Sequence, residues 1–525
     1  MIFLNLVKNI AEGIYPFYGS AVILFIAFIL LFFALSGKKN AKIFFLVFSF
    51  AGISVALVLN IIMFLQKGLF SNYLFSYDRL ELIKTGIILF AAINILVVIS
   101  INKFEEKNFI KILLIFLLTI VSFTFYIPAS NFIMIFTSLV FTISGIFMLF
   151  TSLNSDIGYT VSKEYILRNH TIRFFTVSLF ALALMLAGYS VMYGSTDLKS
   201  FVQLIEAEKI TDPMIKTGLF VLYGSLFVYL FIFPLQSAYI KLLKRCESAS
   251  ATVIWFLYFP AGLFLFLKMR KVFFYFAEGN IYIIYAVYIV AFVCIAAGNI
   301  GAVKSSSIKR ILAFFYYSVF GTALIFFGFS GSGLLEENMA AIAICANLSA
   351  AAFTYFPFHL LSAKMEQHNK KDEIANLYGF LKQHKYLGVC LVIILLGFPL
   401  LLLSGTFFSF TNFIEPVIKI ISVPAETGAG SGTFSLLNYL GAGTLMTGVL
   451  FLIINVVRLI AAVGKTRISA GDGSREAGKI SLPKFYYIYL TLYCLAILFL
   501  LAGNILKIFD ISIFPLEASE FIQMI

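Results

Sequence analysis

The sequence predicts an all-α, polytopic membrane protein with about 14 transmembrane helices, and three observations carry that prediction. Of its 525 residues, 61% are hydrophobic and only 12% are charged, about half the roughly 25% charge of a soluble globular chain. Apolar runs long enough to span a bilayer, at roughly 20 residues each, recur along the whole sequence. Basic residues gather in alternate connections between these runs, as expected where positive charge marks the cytoplasmic side.

The runs lie near 15–36, 41–65, 82–101, 109–127, 129–153, 172–193, 214–236, 250–268, 280–302, 308–329, 338–361, 386–411, 436–462 and 484–506. Connections after odd-numbered runs hold 26 of the 38 Lys and Arg but only 10 of the 25 Asp and Glu. Both termini are therefore expected outside a cell inner (plasma) membrane, with the loops around Lys371 and Arg475 in the cytoplasm. The net charge of +13 is thereby a topology signal, and no nucleic-acid partner is expected. The first twenty residues contain Lys8 and Glu12 and lack the order of basic start, apolar core and small-residue cleavage site, so no cleaved signal peptide is expected. Cys294, Cys345, Cys390 and Cys494 fall inside apolar runs and read as small hydrophobes. Neither the cysteines nor the four histidines have metal or disulfide spacing, and no cofactor or metal site is expected.

Three prolines sit inside spans. Pro234 in the seventh run, Pro260 in the eighth and Pro399 in the twelfth each remove a backbone donor and clash with the preceding turn. Helix breaks at depth survive where protein or water satisfies the freed groups. Paired broken spans in two halves of a chain are the pattern of ion carriers built from repeats.

Few ionisable residues are expected at depth. Asn60, Asn94, Asn299 and Asn347 sit inside apolar runs and are expected to hydrogen-bond across helices. Lys84, near the start of the third run, reads as a side chain that snorkels to the interface. Arg173 and Arg458 open or close spans expected to pack near the breaks. With the hydroxyls of Tyr229, Ser404 and Thr406 they make up the candidate polar path.

The segment from Asn299 to Gly321 carries a resemblance. Lys309, Arg310, Leu312 and Ala313 resemble the Leu-Lys-Arg-Leu-Leu-Ala-Tyr turn of the antiporter-like membrane subunits of respiratory complex I and their hydrogenase and cation-antiporter relatives. Asp78, Arg173, Tyr193-Gly194, Pro234, Pro260, Asn347-Leu348, Gly397 with Pro399, and Arg458 follow in the family's order. The Tyr-Gly and Asn-Leu pairs look most like the subunit N branch. The resemblance covers residues 15 to 505 and implies a single membrane domain, 1–525, of fourteen helices. Within it, two inverted five-helix repeats, 109–268 and 280–462, would each contain one broken helix.

The same resemblance implies a non-catalytic membrane subunit associated with proton translocation in an NADH-quinone or related oxidoreductase. Other membrane subunits would be its partners, quinone would be handled by those partners, and the chain would hold no electron carrier. The family's relay glutamate and lysines fall at Val140, Tyr229, Ala261 and Phe407, where charge is absent, and its tenth-span histidine falls at Val319. The expected function is thus an array subunit without the usual charged relay, structural or degenerate. The alternative is a stand-alone secondary transporter or a cation/proton antiporter subunit.

Overall fold

The computed structural model describes residues 17–35, 42–65, 70–71, 75–101, 104, 106–155, 161–196, 212–232, 235–270, 272 and 281–331, with scattered positions between 341 and 393 and between 454 and 495. The described helices are, in order, α1 (Tyr18–Leu35), α2 (Lys42–Leu65), α3 (Arg79–Ile101), α4 (Glu106–Tyr126), α5 (Phe132–Ser155), α6 (Val161–Thr196), α7 (Pro213–Tyr229) and α8 (Gln236–Arg245). Next come α9 (Ser248–Val253), a π turn (Ile254–Tyr258), α10 (Phe259–Lys268), α11 (Ile281–Lys304) and α12 (Ile308–Gly331). A two-residue ribbon, β1 (Phe70–Ser71) with β2 (Ser76–Tyr77), pairs Phe70 with Tyr77 and Ser71 with Ser76.

Eight of the described helical stretches are long and apolar enough to cross a membrane, and Tyr18–Phe32 and Pro213–Tyr229 are shorter apolar helices. Helices serve here because each satisfies its own backbone groups where water is absent. The protein is all-α and multi-pass. These ten stretches coincide with the first ten expected spans; the four expected beyond residue 338 lie largely outside the described residues.

The chain divides into two compact units. One holds Met1–Phe231 and Ala249–Phe276; the other holds Ile232–Ser248 and Ala277–Ile525. In the first unit, Ser248–Lys268 is buried along its length whereas Lys42–Leu65 is buried over a third of it. A helix apolar and buried all round is a bundle core, while α2 turns Ile43, Val55, Val58 and Leu65 outward, a surface suited to acyl chains. The α6 and α7 backbones touch closely: a Cβ on Gly188 would stand 2.8 Å from the Gly218 carbonyl oxygen. Asn60 on α2 donates to the Leu82 carbonyl on α3 at 2.9 Å, and Ser20 on α1 donates to Thr124 on α4 at 2.8 Å.

In the second unit α11 and α12 form a helical hairpin, with Asn299 donating to Ser318 across it at 3.2 Å. The Tyr239 ring of α8 meets Tyr316 and Tyr317 of α12 edge-on. Asn347 lies outside the described residues.

Candidate functional site

The seventh span is interrupted. α7 opens on Asp212, whose carboxylate accepts from the Met214 amide, with Pro213 in the first turn where its missing N–H costs nothing. It ends at Tyr229, and α8 begins at Gln236. Between them Phe231 adopts φ 51°, a region a bulky side chain enters only under constraint, at a cost of about 1–3 kcal/mol. The constraint is its buried ring, stacked on Phe174 of α6 with centroids 4.5 Å and planes 4° apart. Pro234 itself lies outside the described residues.

The eighth span corrects the expectation of a break at Pro260. Its helix runs from Ser248 to Lys268 without interruption, and the accommodation is a π turn just upstream, in which the Phe259 amide reaches back to the Ile254 carbonyl. One extra residue in the turn absorbs the missing donor and the ring of the proline. This widened turn meets the end of α7 through two tyrosines. Tyr229 and Tyr258 stack at 4.5 Å and exchange hydrogen bonds. The Tyr229 hydroxyl donates to the Tyr258 carbonyl at 3.2 Å and the Tyr258 hydroxyl to the Tyr229 carbonyl at 3.0 Å. The second bond satisfies a carbonyl that a helix end would otherwise orphan. Ser178 of α6 completes the cluster, 2.7 Å from the Tyr258 hydroxyl. Gly262 leaves room for the Tyr229 ring, since a Cβ there would stand 2.6 Å from its Cε1 atom.

A second feature of this unit is a buried charge cluster. Lys84 is 0% exposed, and its ammonium donates to Glu81 Oε1 at 2.9 Å. Lys268, at the end of α10, stands 3.6 Å from the same oxygen and donates to the Ala129 carbonyl at 2.8 Å. Glu81 Oε2 is buried and has no hydrogen-bond partner among the described residues. The ribbon positions α3: Ser76 donates its amide to the Pro128 carbonyl and its hydroxyl to Asp78, just ahead of the helix start. Burial first, and the Glu81 carboxylate second, hold the Tyr77 hydroxyl far above the usual phenol range. The Tyr126 hydroxyl donates to the Ala261 carbonyl at 2.7 Å.

The reading of Lys84 as a snorkelling side chain is thereby corrected. Glu81 supplies a partner three residues away on the same helix face, so the side chain turns inward rather than to an interface. The signal in the sequence was the carboxylate itself, placed inside the opening turn of an apolar run.

The second unit holds a charge cluster of its own. Lys309 donates to Glu366 Oε1 at 2.5 Å and to the Cys246 carbonyl at 2.6 Å. Glu366 Oε2 accepts the Ser248 amide at 3.0 Å. Asp372 accepts from the Ser307 hydroxyl at 2.8 Å, the Lys309 amide at 2.9 Å and the Ser362 hydroxyl at 3.0 Å. The carboxylates therefore sit at the N-termini of α9 and α12, where amides are free and the helix dipole favours negative charge. Burial pushes the Cys246 thiol up to about 12, with Lys309 pulling the other way.

Three members of the expected polar path lie among the described residues. Tyr229 is buried in the tyrosine pair, whereas Arg173 is exposed on α6. Arg458 donates to the Ala302 carbonyl at 3.1 Å, to the Val303 carbonyl, and to the Ser305 carbonyl at 3.0 Å, which caps the end of α11. Of the positions expected to correspond to the family's charged relay, Val140 is half-buried on α5 and Ala261 is buried on α10. Pro399, Ser404, Thr406 and Phe407 lie outside the described residues.

Residues 157–419 match the profile of the family described as NADH:quinone oxidoreductase/Mrp antiporter, TM. The chain belongs to this family. Among curated members it is 25% identical over 298 residues to NADH-quinone oxidoreductase subunit N of Methylococcus capsulatus, covering 55% of this chain and 59% of that one. It is 22% identical over 296 residues to NADH-quinone oxidoreductase subunit N 2 of Syntrophobacter fumaroxidans, covering 55% and 56%. The matches thus span under two thirds of either relative.

The family fold recurs in three solved assemblies. A chain of respiratory complex I from Thermus thermophilus aligns with TM-score 0.61 at 12% identity, covering 93% of this chain and 97% of that one. The Mrp complex from Dietzia sp. DQ12-45-1b gives 0.71 at 11%, covering 95% of each. The membrane-bound sulfane sulfur reductase, an archaeal respiratory membrane complex, gives 0.67 at 14%, covering 98% and 99%.

Proposed function

We propose that this chain is a membrane-arm subunit of a complex I-like NADH-quinone or related oxidoreductase, associated with proton translocation but without the family's lysine relay. Family membership through residues 157–419 carries the reading, and two relatives named as subunit N support it. In this proposal the chain holds no electron carrier, and quinone and redox chemistry belong to partner subunits. It crosses a plasma membrane as one domain with both termini outside, and 109–268 and 280–462 are inverted repeats.

The chemistry of the relay positions supports the second half of the proposal. A relay stores charge midway on groups that change protonation at accessible cost. Val140 and Ala261 do not titrate, and the Tyr229 hydroxyl is already committed to the Tyr258 carbonyl. Tyr229→Phe is expected to leave the proton-to-electron ratio of the reconstituted assembly unchanged. A lower ratio with intact assembly and electron transfer would place Tyr229 in a working path.

Mild solubilisation of native membranes tests the assembly. The chain is expected to migrate with other membrane subunits and peripheral redox subunits; migration alone would favour a stand-alone transporter. For orientation, a cysteine at Ser200 is expected to react with an impermeant maleimide from outside and one at Ser474 to be spared. The opposite labelling would invert the topology.

A further inference from the structure

The lysines and carboxylate at the start of α3 and the end of α10 are not among the relay positions considered above. Two cations share one anion there. Lys84 is 0% exposed, and the side chains of Lys268 and Glu81 are 8% and 9% exposed. An uncompensated charge in such a place is costly, and ionisable groups retained inside a membrane domain mark ion pathways more often than they add stability. The geometry supplies what an exchange site needs. Glu81 Oε1 holds both ammonium groups, 2.9 and 3.6 Å away, while Oε2 is buried without a partner among the described residues. A buried carboxylate oxygen in that condition is a seat for water.

We infer that Glu81, Lys84 and Lys268 form a proton-exchange site in which Lys268 releases and regains a proton through a water held at Glu81 Oε2. The step breaks one Nζ–H bond, leaves the electron pair on Nζ and transfers the proton to that water. Its charge balance favours exchange. With both lysines protonated the site carries one net positive charge, and after release it is neutral, with Lys84 and Glu81 still paired. Lys268 keeps its hydrogen bond to the Ala129 carbonyl as an amine, so the side chain does not need to move. Asp78 and Arg270 are the other charged neighbours, and Tyr77 and Tyr126 are the neighbouring hydroxyls. The inference deepens the reading of a subunit associated with proton translocation and rests on it only in requiring that protons cross this chain.

The test separates the two claims. Tagged full-length chain, with whatever subunits purify beside it, is reconstituted in liposomes, and a potassium diffusion potential drives proton entry reported by an entrapped pH dye. Co-purifying subunits are identified independently, so a chain that purifies alone overturns the assembly reading without touching the flux result. The unmodified protein is expected to conduct protons above protein-free vesicles. Lys268→Arg is expected to conduct at least fivefold less, because a guanidinium keeps the cation beside Glu81 but does not release its proton. Equal flux in the variant, or none above empty vesicles in the unmodified protein, overturns the proposal. A readout without substitutions covers the case of a variant that does not fold. In protein labelled with 15N-lysine, one lysine is expected to exchange between ammonium and amine over the pH range of the flux measurement. A spectrum in which every lysine stays ammonium throughout overturns it equally.

Discussion

The Lys309 cluster and the Lys84 cluster are built from the same two chemical groups in opposite proportion. Around Lys309 one ammonium faces Glu366 and Asp372, and every oxygen of both carboxylates accepts a hydrogen bond. The excess negative charge there lies at two helix N-termini, which stabilise it. Around Glu81 two ammonium groups face one carboxylate, and one of its oxygens has no hydrogen-bond partner among the described residues. A fully satisfied network fixes structure, whereas a partly satisfied one carries a cost that persists only where something else requires it. Satisfaction, more than the mere presence of buried charge, separates a staple from a working site.

The largest expected effect is on the staple. Lys309→Met leaves two carboxylates facing each other without a cation and should lower stability by roughly 2–4 kcal/mol. That is below the full loss for a buried pair, because the Glu366 side chain is 26% exposed and water screens part of it. Thermal unfolding in detergent measures this loss, and a change under 1 kcal/mol would break the contrast. Asp372→Ala removes the acceptor of the α12 N-terminus and should cost about 1–2 kcal/mol, the ordinary range for a lost cap. Lys84→Met should change stability by less than about 1 kcal/mol in either direction, since it leaves a balanced Glu81–Lys268 pair beside an apolar side chain of similar length. A loss as large as that of Lys309→Met would mean both clusters are staples. The smallest effect is kinetic. Cys246, buried and with its thiol pushed up to about 12, should resist N-ethylmaleimide at pH 8 in the native protein, because the thiolate is the reactive form.

The spans were legible because hydrophobic length is a property of contiguous residues, and the first ten expected runs reappear as helices. Lys309 was legible as part of a family turn, but Glu366 and Asp372 were not legible as its partners, because nothing local links a lysine to carboxylates about sixty residues away. Lys84 was misread for the opposite reason. A lysine near a helix end is usually a surface group, and its distant neighbour Lys268 stood at another helix end with the same ordinary look. Pro260 announced a perturbation without saying which kind. A proline at depth is compatible with a break or with a widened turn, and packing of Tyr258 against Tyr229 belongs to tertiary structure. The left-handed Phe231 gave no signal at all, since a residue chosen for stacking on Phe174 looks like any apolar residue in a span.

The spacing of Glu81 and Lys84 also bears on how the chain is made. Lys268 is synthesised on the order of 180 residues after Lys84, a delay of roughly 10–40 s at ordinary elongation rates. Throughout that interval α3 has to enter the bilayer without its third charge. Glu81 and Lys84 are one helical turn apart and in direct contact, so they neutralise each other within the nascent helix, and the segment is presented to the insertion machinery as an almost uncharged one. The surplus cation arrives only with the end of α10, when the surrounding helices that must enclose it are already in place.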